Sequence, residues 1–193
     1  MTVWTERRYA VIDVEGNGQH PPDLVELGVV PVVAGEIGEP VAWLVKPQEP
    51  ITPMARRIHG ITNDMVAGVP VFADLAAAIQ VHLDGAVVVA HNASVDLGVL
   101  RRKMPDFAPT EVLDTLKLSR RLLPAQASHR LGALVEVLHL GEGLPPGLVP
   151  HRVTYDVLVT ARLLVWLATR PNGTPRSFEE LRDGPGGEAD ALF

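Results

Sequence analysis

The stretch Tyr9-Ala10-Val11-Ile12-Asp13-Val14-Glu15-Gly16 decides how the rest of the chain is read. Its first half is apolar, and Val11 and Ile12 are β-branched, which suits a strand buried in a sheet. Side chains alternate along a strand, so Asp13 and Glu15, two residues apart, project to one face. Two like charges so placed repel, and partial burial sharpens the repulsion. These residues alone leave two readings open. In one, the acids sit at an exposed strand end and are solvated. In the other, a hard divalent cation lies between them, held by oxygen ligands.

Outward from this strand, Asn17-Gly18-Gln19-His20-Pro21-Pro22-Asp23 is a turn signal. Residues 24–33 are expected to form a second strand, interrupted by Glu26, Gly28 and Pro31. Ala34-Gly35-Glu36 is a tight connection, and residues 41–45 are expected to form a third strand, giving an antiparallel meander. Residues 54–58 suit a short helix closed by His59-Gly60. Thr62-Asn63-Asp64 has the chemistry of a helix cap, and residues 71–83 suit an amphipathic helix stopped by Gly85.

Beyond that point strands and helices alternate. Residues 86–90 and 111–113 are expected strands. Residues 94–103, with Val95, Val99 and Leu100 as the buried face, 116–123, 131–139 and 153–168 are expected helices. The pattern predicts an α/β domain with a five-stranded mixed sheet, a meander followed by parallel strands with crossover helices. The folded domain is expected over 1–170, and the polar, Gly- and Pro-bearing segment 171–193 is expected to be a mobile tail.

Bulk properties narrow the possible functions. The chain has 193 residues, enough for one domain with a sizeable core, and no cysteine, which excludes disulfides, thiolate metal sites and a Cys nucleophile. The net charge of −6 argues against a basic nucleic-acid coat protein. No apolar run is long enough to span a bilayer. Glu6, Arg7 and Arg8 precede a short apolar strand, so the N-terminus does not read as a secretory signal, and a cytoplasmic location is expected.

Two further clusters of chemistry follow. His91-Asn92-Ala93-Ser94-Val95-Asp96 comes directly after the 86–90 strand, and ligands of open α/β sheets gather at the carboxyl ends of strands. Taken alone, Asn92 or Ser94 reads as a helix cap, with Asp96 favouring the positive helix end. His151-Arg152-Val153-Thr154-Tyr155-Asp156 opens the last helix behind a Gly/Pro-rich loop.

In chain order the motifs are Asp13-x-Glu15, His91-Asn92-x-x-x-Asp96 and His151-x-x-x-x-Asp156. Together they resemble the DEDDh 3′–5′ exonuclease family, of ribonuclease-H-like fold, which includes the proofreading epsilon subunit of bacterial replicative polymerases. The resemblance runs from about Tyr9 to Ala168. It extends to Leu24-Val25-Glu26-Leu27-Gly28, His59-Gly60-Ile61-Thr62 and Asp114-Thr115-Leu116.

The resemblance implies that Asp13, Glu15 and Asp156 hold one metal, that Asp13 bridges to a second with help from Asp96 through water, and that His151 is the general base. Two ions about 3.5–4 Å apart can stabilise the attacking and leaving oxygens of a phosphodiester. Oxygen ligands favour magnesium, with manganese able to replace it. A histidine, with an ordinary pKa of about 6.5, is suited to take a proton from water. By the same resemblance Gly16, Asn17, His59, His91 and Asn92 would line a nucleotide pocket. Gly16-Asn17-Gly18 stands where many members carry Thr-Thr-Gly, so Asn17 would replace a hydroxyl contact and pocket shape and sugar preference would change.

The implied activity is metal-dependent release of 5′-mononucleotides from 3′ ends of single-stranded DNA, in repair or proofreading. Short RNA is the alternative substrate, and a non-catalytic nucleic-acid or polymerase accessory module is the alternative of another class. The presence of all four acids and His151 speaks against the module. Arg101, Arg102, Lys103, Arg120, Arg121 and Arg130 could meet phosphates but read mainly as solvated surface. Leu192-Phe193, at an acidic end, resembles the peptides that dock on bacterial sliding clamps, although Glu188 or Ala189 stands where those begin with Gln. The alternative is an end that folds back on the domain or does nothing.

Overall fold

The computed structural model describes residues 2–182. The strand that carries Asp13 and Glu15, β1 (Arg8–Gly16), is the centre of the sheet. It pairs antiparallel with β2 (Leu24–Val33) on one side. On the other side it pairs parallel with β5 (Val87–Ala90). Two short strands, β3 (Glu36–Ile37) and β4 (Val41–Leu44), share the far edge of β2. The last strand, β6 (Val112–Asp114), runs parallel to β5. The sheet order is β3-β2-β1-β5-β6 with β4 also on β2.

The sheet therefore has six strands where five were expected. The additional strand is the two-residue β3, too short to show as a pattern of apolar residues. It follows the tight turn at Ala34-Gly35, where both residues have positive φ (53° and 84°), the backbone that a two-residue hairpin requires.

Helices cover both faces. Short helices α1 (Pro53–His59) and α2 (Asn63–Val66) start at Thr52 and Thr62, whose hydroxyls accept the backbone N–H of Ala55 and Met65. Gly60 closes α1 with φ 75°. On one face α3 (Phe72–Leu83) and α4 (Ala93–Lys103) bury Ile79, Leu97 and Leu100 against Ala10, Ile12 and Val88. On the other, α5 (Thr115–Leu122), α6 (Leu131–Val137) and α7 (Val153–Ala168) bury Leu118, Leu134, Val157 and Leu164 against Tyr9, Val11 and Val89. Alternate residues of β1 thus feed two cores, as its unbroken apolar run suggested.

Two expectations are corrected. Val95, expected on the buried face of α4, is 55% exposed; the helix turns Asp96, Leu97, Val99 and Leu100 inward instead. Residues 171–182, expected within a mobile tail, pack on the domain. They end in α8 (Phe178–Arg182), with Phe178 and Leu181 buried. Val3 bridges Ser177, the Phe178 N–H donates to the Thr2 carbonyl, and Arg121 donates to the carbonyls of Glu180 and Leu181. Two apolar side chains in a polar stretch supply this docking. Leu192 and Phe193 lie outside the described residues.

One glycine sets how closely α7 approaches the sheet. Gly28 lies opposite Asp13 on β2, and a Cβ there would come within 2.7 Å of Val153 Cβ and 3.1 Å of the Val153 carbonyl oxygen. Gly28→Ala should push the start of α7 outward. A tightly packed site of this kind costs roughly 1–3 kcal/mol when overfilled, or a fall of about 3–10 °C in melting temperature for a chain this size. A thermal melt followed by circular dichroism tests this, and an unchanged transition would contradict the close packing.

Candidate active site

Three elements bring the acids together at the carboxyl ends of β1 and β5. Asp13 and Glu15 come from β1, Asp96 from the first turn of α4, and Asp156 from the first turn of α7. Asp96 is buried, and its Oδ1 accepts the Val14 N–H at 3.1 Å, which ties α4 to the strand between the two β1 acids. Glu15, His151 and Asp156 each offer one ligand atom, and these three atoms lie within 4.8 Å of one another. His151 itself is exposed and held at φ 62°, a left-handed backbone unusual for a residue with a side chain.

The charge state of this cluster follows from its burial. The Asp13 carboxyl is pushed well above its ordinary range, first by burial and then by Asp96, Asp156 and Glu15. Glu15 is pushed up to about 8 by burial and by Asp156, Glu26 and Asp96, with Arg152 opposing. Asp96 is raised to about 7, chiefly by burial. Asp156 is raised to about 6 by burial, while the charge and backbone N–H of His151 pull it down. Asp13 Oδ2 is buried without a hydrogen-bond partner. A buried carboxylate oxygen with no donor, surrounded by other carboxylates, is an unfavourable arrangement unless a cation completes it. The donor set, all oxygen with one imidazole beside it, fits a hard divalent ion.

Most residues of the expected nucleotide pocket have hydrogen-bond partners within the protein. Asn17 is fully buried; its Oδ1 accepts the N–H groups of Gln19 and Asp23, and its Nδ2 donates to the Glu49 carbonyl. It knots the loop after β1, and its side chain is 0% exposed. His59 is also buried. Its Nδ1 accepts the Ile61 N–H, so Nε2 carries the proton and donates to the Gly16 carbonyl at 3.3 Å. His91 is held through Nδ1 by the Thr115 hydroxyl and through Nε2 by the His129 carbonyl, both at 3.0 Å. Burial holds both imidazoles below the usual histidine range, toward the neutral form. Asn92 is the exception: it is exposed, with φ 73°, and presents its amide at the end of β5. Gly16 is half-buried, its carbonyl accepts from His59, and a Cβ there would come within 3.2 Å of Pro22 Cβ.

Of Arg101, Arg102, Lys103, Arg120, Arg121 and Arg130, most are exposed, as expected, and two also brace the loop before β2. Arg102 donates to the Pro22 carbonyl, and Lys103 pairs with Asp23.

Two acids that carry no assigned role in the motifs shape the site. Asp114 accepts the N–H groups of Asn92 and Ala93 and those of Leu116 and Lys117, so one carboxylate fixes the starts of α4 and α5. Glu26, which is only 3% exposed, accepts both arms of the Arg152 guanidinium. An acid inside an apolar strand was the available signal for Glu26, because a buried carboxylate needs a partner.

The profile of the exonuclease family (RNase_T) matches residues 10–164, a span that holds every acid of this cluster. The chain belongs to the exonuclease family. It is 37% identical over 175 residues to exodeoxyribonuclease 10 of Escherichia coli K12, an alignment covering 91% of this chain and 75% of that protein. It is 32% identical over 167 residues to the 3′-5′ exonuclease DinG of Bacillus subtilis, covering 83% of this chain but 17% of that much longer protein. A solved structure of exonuclease X in complex with 5′-overhanging duplex DNA superposes with a TM-score of 0.72 at 38% identity, covering 86% of this chain and 95% of that one. Exonuclease I, at 20% identity and a TM-score of 0.71, shares the fold. This exonuclease is thus a hydrolase of nucleic-acid phosphodiesters with a ribonuclease-H-like α/β fold. Among its described residues no helix is long and apolar enough to cross a membrane.

Proposed function

We propose that this chain is a 3′–5′ exonuclease that removes 5′-mononucleotides from DNA 3′ ends. The observation that carries the reading is the buried, partnerless Asp13 Oδ2 amid Glu15, Asp96 and Asp156, with the His151 ring beside Glu15 and Asp156. In this reading the four carboxylates hold two divalent cations, magnesium with manganese able to substitute. Such ions, when bound, favour deprotonation of water and stabilise charge on the attacking and leaving oxygens.

The protein's own groups supply the rest. Asp13, Glu15 and Asp156 project from rigid elements and fix the position of the positive charge; Asp96 closes the cluster from α4. His151 takes the proton from the attacking water, and its exposed position lets that proton pass to solvent. Asn92 offers an amide to the strand end. DNA is favoured over RNA because exodeoxyribonuclease 10 and the DNA-bound exonuclease X are similar over most of the chain. A role in repair or proofreading belongs to the same proposal.

Direction is tested with end-labelled single strands. The expected products are 5′-mononucleotides released from the 3′ terminus, and a 3′-blocked strand should resist. Matched DNA and RNA oligomers of one sequence should show faster loss of the DNA. Cleavage within a circular single strand would overturn the exonuclease reading of this site.

A further inference from the structure

The Glu26–Arg152 pair lies outside the metal-binding cluster but in contact with the segment that carries two of its members. Arg152 separates His151 from α7. Its Nε donates to Glu26 Oε2 at 3.0 Å, and its Nη2 donates to Oε1 at 2.6 Å, a two-pronged fork. Glu26 Oε2 also lies 3.4 Å from the Val153 N–H, the first amide of the helix. Arg152 makes no side-chain cap of its own, so a carboxylate from β2 supplies the capping acceptor.

The sheet register explains why this position matters. Glu26 stands directly opposite Glu15, and Gly28 directly opposite Asp13. Cross-strand partners project to the same face. Val153 rests on Gly28 while Arg152 is clamped to Glu26. Two neighbouring positions on β2 therefore seat the start of α7 beside the two acids of β1. The Asp156 N–H bonds the Arg152 carbonyl, so the clamped residue also begins the turn that carries Asp156.

We infer that Glu26 and Arg152 are positioning residues, a strand-to-helix clamp that holds His151 and Asp156 in register with Asp13 and Glu15. Both Glu26 oxygens are committed to Arg152, so Glu26 is not a fifth ligand. A fork is needed because an arginine held at two points has a fixed plane, whereas a lysine is a single point of charge. The inference rests on the exonuclease reading above.

Four purified full-length proteins separate the possibilities: wild type, Glu26→Gln, Arg152→Lys and the double variant Glu26→Met/Arg152→Met. Glu26 is buried and Arg152 is 34% exposed; replacing both by apolar groups leaves no unpaired buried charge and can leave stability intact. The clamp predicts that Arg152→Lys and Glu26→Gln lower kcat on a DNA 3′ end by roughly 10–100-fold, as displaced catalytic geometry does, with KM changed little. It predicts that the double variant recovers the wild-type melting temperature but not kcat. Hydrogen–deuterium exchange without metal gives a second readout: the peptide spanning residues 151–157 should exchange faster in all three variants, with the rest of the chain unchanged. Recovery of kcat along with stability in the double variant, or full kcat in Arg152→Lys, would overturn the clamp. An inactive wild type would instead count against the exonuclease reading, and the exchange data would still decide whether the pair holds the segment.

Discussion

Asp13→Asn is expected to remove nearly all hydrolysis and, at the same time, to make the metal-free protein more stable at pH 8. The two effects have one cause. Asp13 sits in the middle of the cluster, and its carboxyl is pushed up by burial and by Asp96, Asp156 and Glu15. An amide of the same size removes one buried negative charge and its repulsion. It also removes the oxygen that is buried without a partner. In wild type, magnesium or manganese at a hundredfold excess over its dissociation constant should add about 2.7 kcal/mol of stability, or roughly 5–10 °C in melting temperature. Asp13→Asn should lose most of that rise. Full hydrolysis by wild type in excess chelator, or an undiminished metal-induced shift in the variant, would contradict the assignment of Asp13 as a ligand.

The same acids set how stability of the metal-free protein depends on pH. Glu15, Asp96 and Asp156 have folded values of about 8, 7 and 6, all above those of free carboxyls. Between the unfolded and folded values the native state binds more protons than the unfolded one, so stability falls as pH rises. The metal-free protein should therefore melt higher near pH 5.5 than at pH 8, by on the order of 5–10 °C. Saturating magnesium should flatten this dependence, because bound cations favour the ionised carboxylates.

Much of this site was legible from residue type and spacing. The β-branched run of β1, the glycine and threonine caps of α1 and α2, and the alternation after residue 85 each state a local preference that tertiary packing reinforced. The three acid motifs fall at the ends of elements that the topology brings together. What was not legible is how each polar side chain is used. His59, His91 and Asn17 carry groups equally able to bind a nucleotide or to knot a loop, and their hydrogen bonds to residues distant in sequence are not encoded locally. The docking of α8 depends on Phe178 finding Arg7 and the segment before β1, a contact between stretches far apart in sequence that no local pattern encodes.

Replacing His151 should lower turnover by roughly 10²–10⁴-fold, the usual contribution of a positioned proton acceptor. Geometry makes the choice of variant important. His151 has φ 62°, and asparagine tolerates that backbone better than alanine does. His151→Asn therefore removes the imidazole while disturbing the entry to α7 least; His151→Ala adds backbone strain as a comparison. The ring atom lies within 4.8 Å of ligand atoms of both Glu15 and Asp156, close enough for two roles, a proton acceptor or a ligand in its own right. Metal binding measured by titration separates them. As a proton acceptor, His151 can be lost with a dissociation constant for manganese changed less than about threefold; as a ligand, its loss should weaken binding by roughly tenfold or more. Unchanged turnover in both variants would mean that another group, or bulk water, receives the proton.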